Sequence, residues 1–78
     1  MGKMVPLSDA DSGVYTVVSL EGGHGFLKKL SEMGIYPGST IEVLGPTADG
    51  GPVRVLVKGS QVGIGRGMAL RIIVRKRV

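Results

Sequence analysis

Cysteine is absent from this 78-residue chain. No disulfide can staple the fold, and no thiolate metal site or cysteine nucleophile is available. Tryptophan is absent too, and Tyr15, Phe26 and Tyr36 are the whole aromatic complement. The core must therefore be aliphatic. Grooves for proline-rich peptides are lined with aromatic rings, and single-stranded nucleic acids stack their bases on such rings, so both binding modes are poorly supplied here. No apolar run approaches the ~20 residues of a membrane-spanning helix. The N-terminus shows no secretory pattern, and Pro6 stands where a myristoylation signal wants serine or threonine. The cytoplasm is the expected compartment.

Negative charge is missing from the second part of the chain. Residues 1–49 hold three basic and six acidic residues, a net of −3, whereas residues 50–78 hold seven basic residues and no acidic one, a net of +7. The two parts give the formal charge of +4. A basic C-terminal half suits an anionic partner: nucleic acid, phospholipid or an acidic protein face. Folding that interleaves the strands would instead mix the charges.

What is present is the material of one small domain, residues 1–78, with no room for a second core. One stretch, Phe26 to Gly38, organises the rest. Phe26, Leu27, Leu30 and Met33 fall on one stripe of an α-helix, with Lys28, Lys29, Ser31 and Glu32 on the other face. Gly34 supplies the left-handed conformation at which a helix stops, and Ile35 stands where a Schellman cap sets an apolar residue back against Leu30. Pro37-Gly38 suits the centre of a type II turn. Gly22-Gly23-His24-Gly25 is a flexible lead into the helix without a Ser, Thr, Asp or Asn cap. Leu30 and Met33 are expected in the core, whereas Phe26 and Leu27 are the residues that a short helix beside a small sheet can leave for a partner.

The rest reads as strands. Val14 to Leu20 is β-branched and aromatic. Alternation marks Thr40 to Leu44, Val53 to Lys58, Gln61 to Gly65 and Leu70 to Arg75. Pro6-Leu7 allows a short edge strand. Asp49-Gly50 is a hairpin dipeptide within the polar loop Pro46 to Pro52, and Gly59-Ser60 suits a two-residue II′ turn. Arg66-Gly67 interrupts the pattern. About five short antiparallel strands with one helix inserted after the first favour a small, bent, barrel-like sheet over an open one, because closure removes exposed edges.

Candidate chemistry is sparse. The run Gly63-Ile64-Gly65-Arg66-Gly67 lacks the following helix and the Lys-Ser/Thr or later acid of a phosphate site, and reads as glycines at barrel corners. His24 is the one histidine, and Asp9, Asp11 and Glu21 are scattered carboxylates of turn type, so no metal site is expected. Ser8, Ser31 and Ser60 have no recognisable base and orienter around them. No catalytic residue and no cofactor is expected; the chain reads as a non-enzyme.

The opening Pro6-Leu7-Ser8-Asp9-Ala10-Asp11-Ser12-Gly13 is followed by Leu30-x-x-Met33-Gly34-Ile35-x-Pro37-Gly38-x-x-Ile41-x-Val43. Further on come Gly51-Pro52-Val53 and Val62-Gly63-Ile64-Gly65-Arg66-Gly67-Met68-Ala69, with Ile72 and Val74 beyond. In this order they cover nearly the whole chain, which resembles the FeoA family, the small ferrous iron transport protein A. The resemblance implies an SH3-like β-barrel with a helix inserted early. It implies an accessory role at the membrane transporter ferrous iron transport protein B, whose cytosolic part binds GTP, and hence recruitment to the inner face of the membrane. The residues proposed to meet that partner are Phe26, Leu27, Arg54, Arg66 and Arg71. Two alternatives stand beside this: phosphate-backbone contact with nucleic acid through the arginines, and a stand-alone relative of the SH3-like domain of iron-dependent repressors. The chain has no helix-turn-helix of its own, which disfavours the second.

Overall fold

A computed structural model describes residues 2–45 and 50–77. The order is β1 (Met4–Pro6), a 3-10 turn (Leu7–Asp9), β2 (Gly13–Leu20), α1 (His24–Glu32), β3 (Thr40–Gly45), β4 (Val53–Val57), β5 (Ser60–Ile64), α2 (Arg66–Ala69) and β6 (Ile72–Lys76). The strands form one antiparallel sheet in the order β1-β6-β2-β3-β4-β5. Among the described residues there are six strands rather than about five, the additional one being the edge strand, which lies at Met4–Pro6 rather than Pro6-Leu7. Leu7 belongs instead to the 3-10 turn, and the main helix consequently follows the second strand.

Period-two alternation builds the core. Val5, Val74 and Val17 face one another across β1, β6 and β2, and Val43, Val55 and Val62 do so across β3, β4 and β5. Register shifts at Val17/Ser19 and at Val43/Gly45 bend the sheet. β1 and β5 remain as edges. The 3-10 turn after β1 packs against α2 after β5, and the fully buried Leu7 and Ala69 lie in these two pieces. Side chains therefore close the barrel where no strand pairing does.

α1 ends as its sequence dictates. Gly34 takes φ +88°, the Ile35 N–H donates to the Leu30 carbonyl at 2.9 Å, and the Gly34 N–H donates to the Ser31 carbonyl at 3.0 Å. This is a Schellman cap, with Leu30 and Ile35 both fully buried. Tyr36 to Ser39 forms the type II turn: Gly38 has φ +97°, and the Ser39 N–H reaches the Tyr36 carbonyl at 2.9 Å. That turn is stitched to β2, since Gly38 N–H donates to the Val17 carbonyl and Val17 N–H to the Ser39 carbonyl. The helix start is less sharp. It lies at His24 rather than Phe26, behind Gly23, which provides no side-chain cap.

Three local expectations are corrected. The β4–β5 turn is Lys58-Gly59, with φ +49° and +82°, not Gly59-Ser60. Both choices keep Val62 and Ile64 facing inward, so alternation alone cannot separate them. The contacts of Val57 and Lys58 with the exit of α1 at Gly34 accompany the observed register. Next, Arg66 to Ala69 forms a single helical turn where an interruption was expected, and a helix does follow the glycine run. Two of the neighbouring residues, Gly65 and Gly67, give it little intrinsic propensity; burial of Ala69 and part of Met68 holds it. Finally, Leu70 caps that turn and is exposed instead of opening the last strand, which begins at Ile72. The Asp49 half of the Asp49-Gly50 turn lies outside the described residues.

Candidate docking site

α1 presents its stripe unequally. Leu30 is fully buried, whereas Phe26 and Met33 are partly buried against the core. Leu27 is 37% exposed. Phe26 is held by two neighbours. A Cβ on Gly22 would stand 2.4 Å from the Phe26 ring, so glycine there is what lets the backbone lie against the aromatic face. The Arg71 guanidinium lies 5.2 Å from the ring centroid. An arginine over an aromatic face contributes about 0.5–1 kcal/mol where exposed and more where water is excluded.

The backbone completes this clamp. The Glu21 N–H donates to the Arg71 carbonyl at 2.7 Å, tying the end of β2 to the residue before β6. Leu70, one residue earlier, is 60% exposed. The fold therefore joins the first turn of α1 to the α2–β6 junction. It sets a clamped aromatic ring and a guanidinium between two segments that each carry an exposed leucine.

Of the five residues expected to meet a partner, the structure brings Phe26 and Arg71 into direct contact, with Leu27 next to Phe26 on the helix. Arg66 is at the other end of α2. Its Nε donates to the carbonyls of Gly50 and Gly51 at 2.9 and 3.2 Å, so its guanidinium anchors the β3–β4 connection and is not wholly free. Arg54 lies on the exposed face of β4, opposite Gly63 of β5. Its side chain makes no hydrogen bond, ion pair or ring contact with a described residue. Sequence reasoning missed Gly22 and Leu70. The Gly22-Gly23 pair read as a linker, and Leu70 was absorbed into a strand by its alternation with Ile72 and Val74.

The expected alternative, that folding mixes the charges, holds in part. Lys76 and Arg77 come to lie around one cleft with Asp9 and Asp11. Even so, no ion pair forms among the described residues. His24 opens α1 and is exposed. Among the described residues no group of three or more His, Asp or Glu side chains is arranged to hold a metal ion. Nor is any described helix long and apolar enough to cross a membrane.

Comparison with known proteins gives this architecture a family. A protein of Methanocaldococcus jannaschii, provisionally named Fe(2+) transport protein A, is 39% identical over 72 residues, covering 91% of this chain and 85% of that protein. The crystal structure of an iron uptake regulatory protein (FeoA) superposes with a TM-score of 0.84 at 42% identity, covering 96% of this chain and 99% of that one. ScaR with bound Zn2+ superposes with a TM-score of 0.87 at 25% identity, covering 97% of this chain but 38% of that one. These likenesses bear out the SH3-like barrel that the motifs implied. The FeoA domain model matches residues 5–76, and the chain belongs to the FeoA family.

Proposed function

We propose that this chain is a small accessory protein of ferrous iron uptake. It acts by docking on the cytoplasmic part of ferrous iron transport protein B, the GTP-binding membrane transporter, and modulates it without catalysing a reaction. The FeoA family is associated with ferrous iron transport, which supplies the process. The observation that carries the mode of action is the packing of Phe26 against Gly22 and Arg71, with the exposed Leu27 and Leu70 as the chain neighbours of Phe26 and Arg71. A rigid aromatic anchor beside apolar side chains and an arginine is the composition in which interface energy concentrates. The transporter needs to offer an apolar recess with an acidic rim. Leu27 and Leu70 then supply buried apolar area, and Arg71 and Arg54 steer association.

Calorimetry with the purified chain and the transporter's isolated cytoplasmic domain tests this reading. A saturable one-to-one complex that weakens when Leu27 or Leu70 is cut to alanine supports it. Absence of any complex, together with steeply salt-dependent binding of duplex DNA or RNA at physiological salt, replaces it with phosphate-backbone recognition.

A further inference from the structure

A second feature shares no residue with that patch. A cleft of about 410 Å³ is lined by Val5, Ala10 and Tyr15, with Lys3, Asp9, Asp11, Lys76 and Arg77 around them. That size falls in the range of small-ligand sites, about 300–1,000 Å³. The sheet register builds it. Val5 pairs with Val74, and Tyr15 pairs with Lys76, so Lys76 continues the inward-facing row of β6 at the point where the core opens. Gly13 makes room for it: a Cβ there would stand 3.0 Å from Lys76 Cε.

Two observations mark the cleft as more than a surface dent. Tyr15 is 4% exposed, yet its hydroxyl has no hydrogen-bond partner among the described residues. The ring is buried while the hydroxyl itself is not sealed from solvent, so the cleft that Tyr15 lines is where a hydrogen-bond partner reaches it. The second is electrostatic. Asp9, which closes the 3-10 turn, and Asp11 just after it share the rim with three cations, Lys3 ahead of β1, Lys76 of β6 and Arg77 beyond it, but no ion pair joins them. The Arg77 guanidinium gives one donor to the Thr40 hydroxyl at 3.3 Å and keeps the rest. Opposite charges are thus held around one apolar hollow without neutralising one another.

We propose that this cleft binds a short peptide with free termini. Its carboxylate is held by Lys76 and Arg77, its ammonium by Asp9 and Asp11, and its apolar side chains rest on Val5, Ala10 and the Tyr15 ring. The Tyr15 hydroxyl takes a hydrogen bond from, or gives one to, the peptide backbone. An amine alone would leave the cations unanswered, and a carboxylate alone would leave Asp9 and Asp11 unanswered. The inference stands whether or not the chain docks on a transporter.

The test is a backbone amide NMR titration of the full chain with leucyl-leucine, set beside its N-acetyl and C-amide forms. The expected result is saturable shifts at Val5, Ala10, Tyr15 and Lys76, with each blocked form weaker by about tenfold, the loss of one charge-assisted contact. Tyr15→Phe keeps the ring and the dispersed spectrum but lowers affinity, and Lys76→Gln lowers it by about tenfold. Three results overturn the proposal: no saturable shift at about 10 mM peptide, where a ligand weaker than millimolar would still begin to show; equal binding of blocked and free peptides; or sensitivity to blocking one terminus alone.

Discussion

The guanidinium of Arg71 lies 5.2 Å from the ring centroid of Phe26, and the Arg71 carbonyl accepts the Glu21 N–H beside that ring. One residue therefore fixes the aromatic ring through its side chain and the preceding loop through its backbone. Gly22 lies against the same ring with no room for a Cβ. Gly22→Ala is expected to push the ring from its place and destabilise the fold by about 1–3 kcal/mol, the usual cost of overpacking. Chemical denaturation measures it. An unchanged midpoint would mean that the ring moves aside freely and does not act as an anchor.

Gly34 is expected to be the costliest glycine of the helix exit to replace. Its φ of +88° disfavours any side chain, and a Cβ would stand 3.0 Å from Val57 Cγ1. Gly34→Ala should destabilise by about 1–2 kcal/mol. Equal denaturation midpoints for the two proteins would refute the Schellman ending.

Lys58 is the non-glycine residue with positive φ among the described residues. It occupies the first central position of a type I′ turn, where asparagine is favoured. Lys58→Asn should raise stability by about 0.5 kcal/mol, because the Lys58 ammonium, 5.9 Å from the Tyr36 centroid on an exposed ring, returns little. Thermal unfolding should show a midpoint higher by a few degrees. A lower midpoint would show that the contact with Tyr36 outweighs the turn.

On the proposed docking surface, apolar and charged residues should separate in their salt response. Leu27→Ala is expected to weaken binding of the transporter's cytoplasmic domain by about tenfold with the salt dependence retained. Arg71→Ala should slow association most at low ionic strength. Surface plasmon resonance at two salt concentrations distinguishes them. Loss of the salt dependence with Leu27→Ala, or no effect of either change, would place the interface elsewhere.

Much of the fold was legible in the residues because the signals are local. A helix that stops at Gly34 and turns at Pro37-Gly38 follows from backbone conformations that only certain residues adopt cheaply. The inward rows of β2 to β6 follow from period-two alternation, which a single buried face imposes. The family motifs lie along those same elements. By itself, then, the sequence determined a mainly β barrel with one sharply ended helix, an aliphatic core and no disulfide.

Tertiary structure decided the rest, because several local readings were nearly equal in energy. Either Gly59-Ser60 or Lys58-Gly59 could turn β4 into β5 without moving Val62 or Ile64 off the inner face; packing against the helix exit accompanies the one observed. Arg66 to Ala69 has poor helical propensity, and it forms a turn where burial of Ala69 against the closing 3-10 segment compensates. Leu70 thereby moved from an expected core position to the surface. The meeting of Phe26 with Arg71, and of Tyr15 with Lys76, joins residues that are distant along the chain. Such pairs are set by the order β1-β6-β2-β3-β4-β5, in which the last strand inserts between the first two. No short-range pattern encodes that order; it comes from the apolar area that this strand buries on its inward face between β1 and β2.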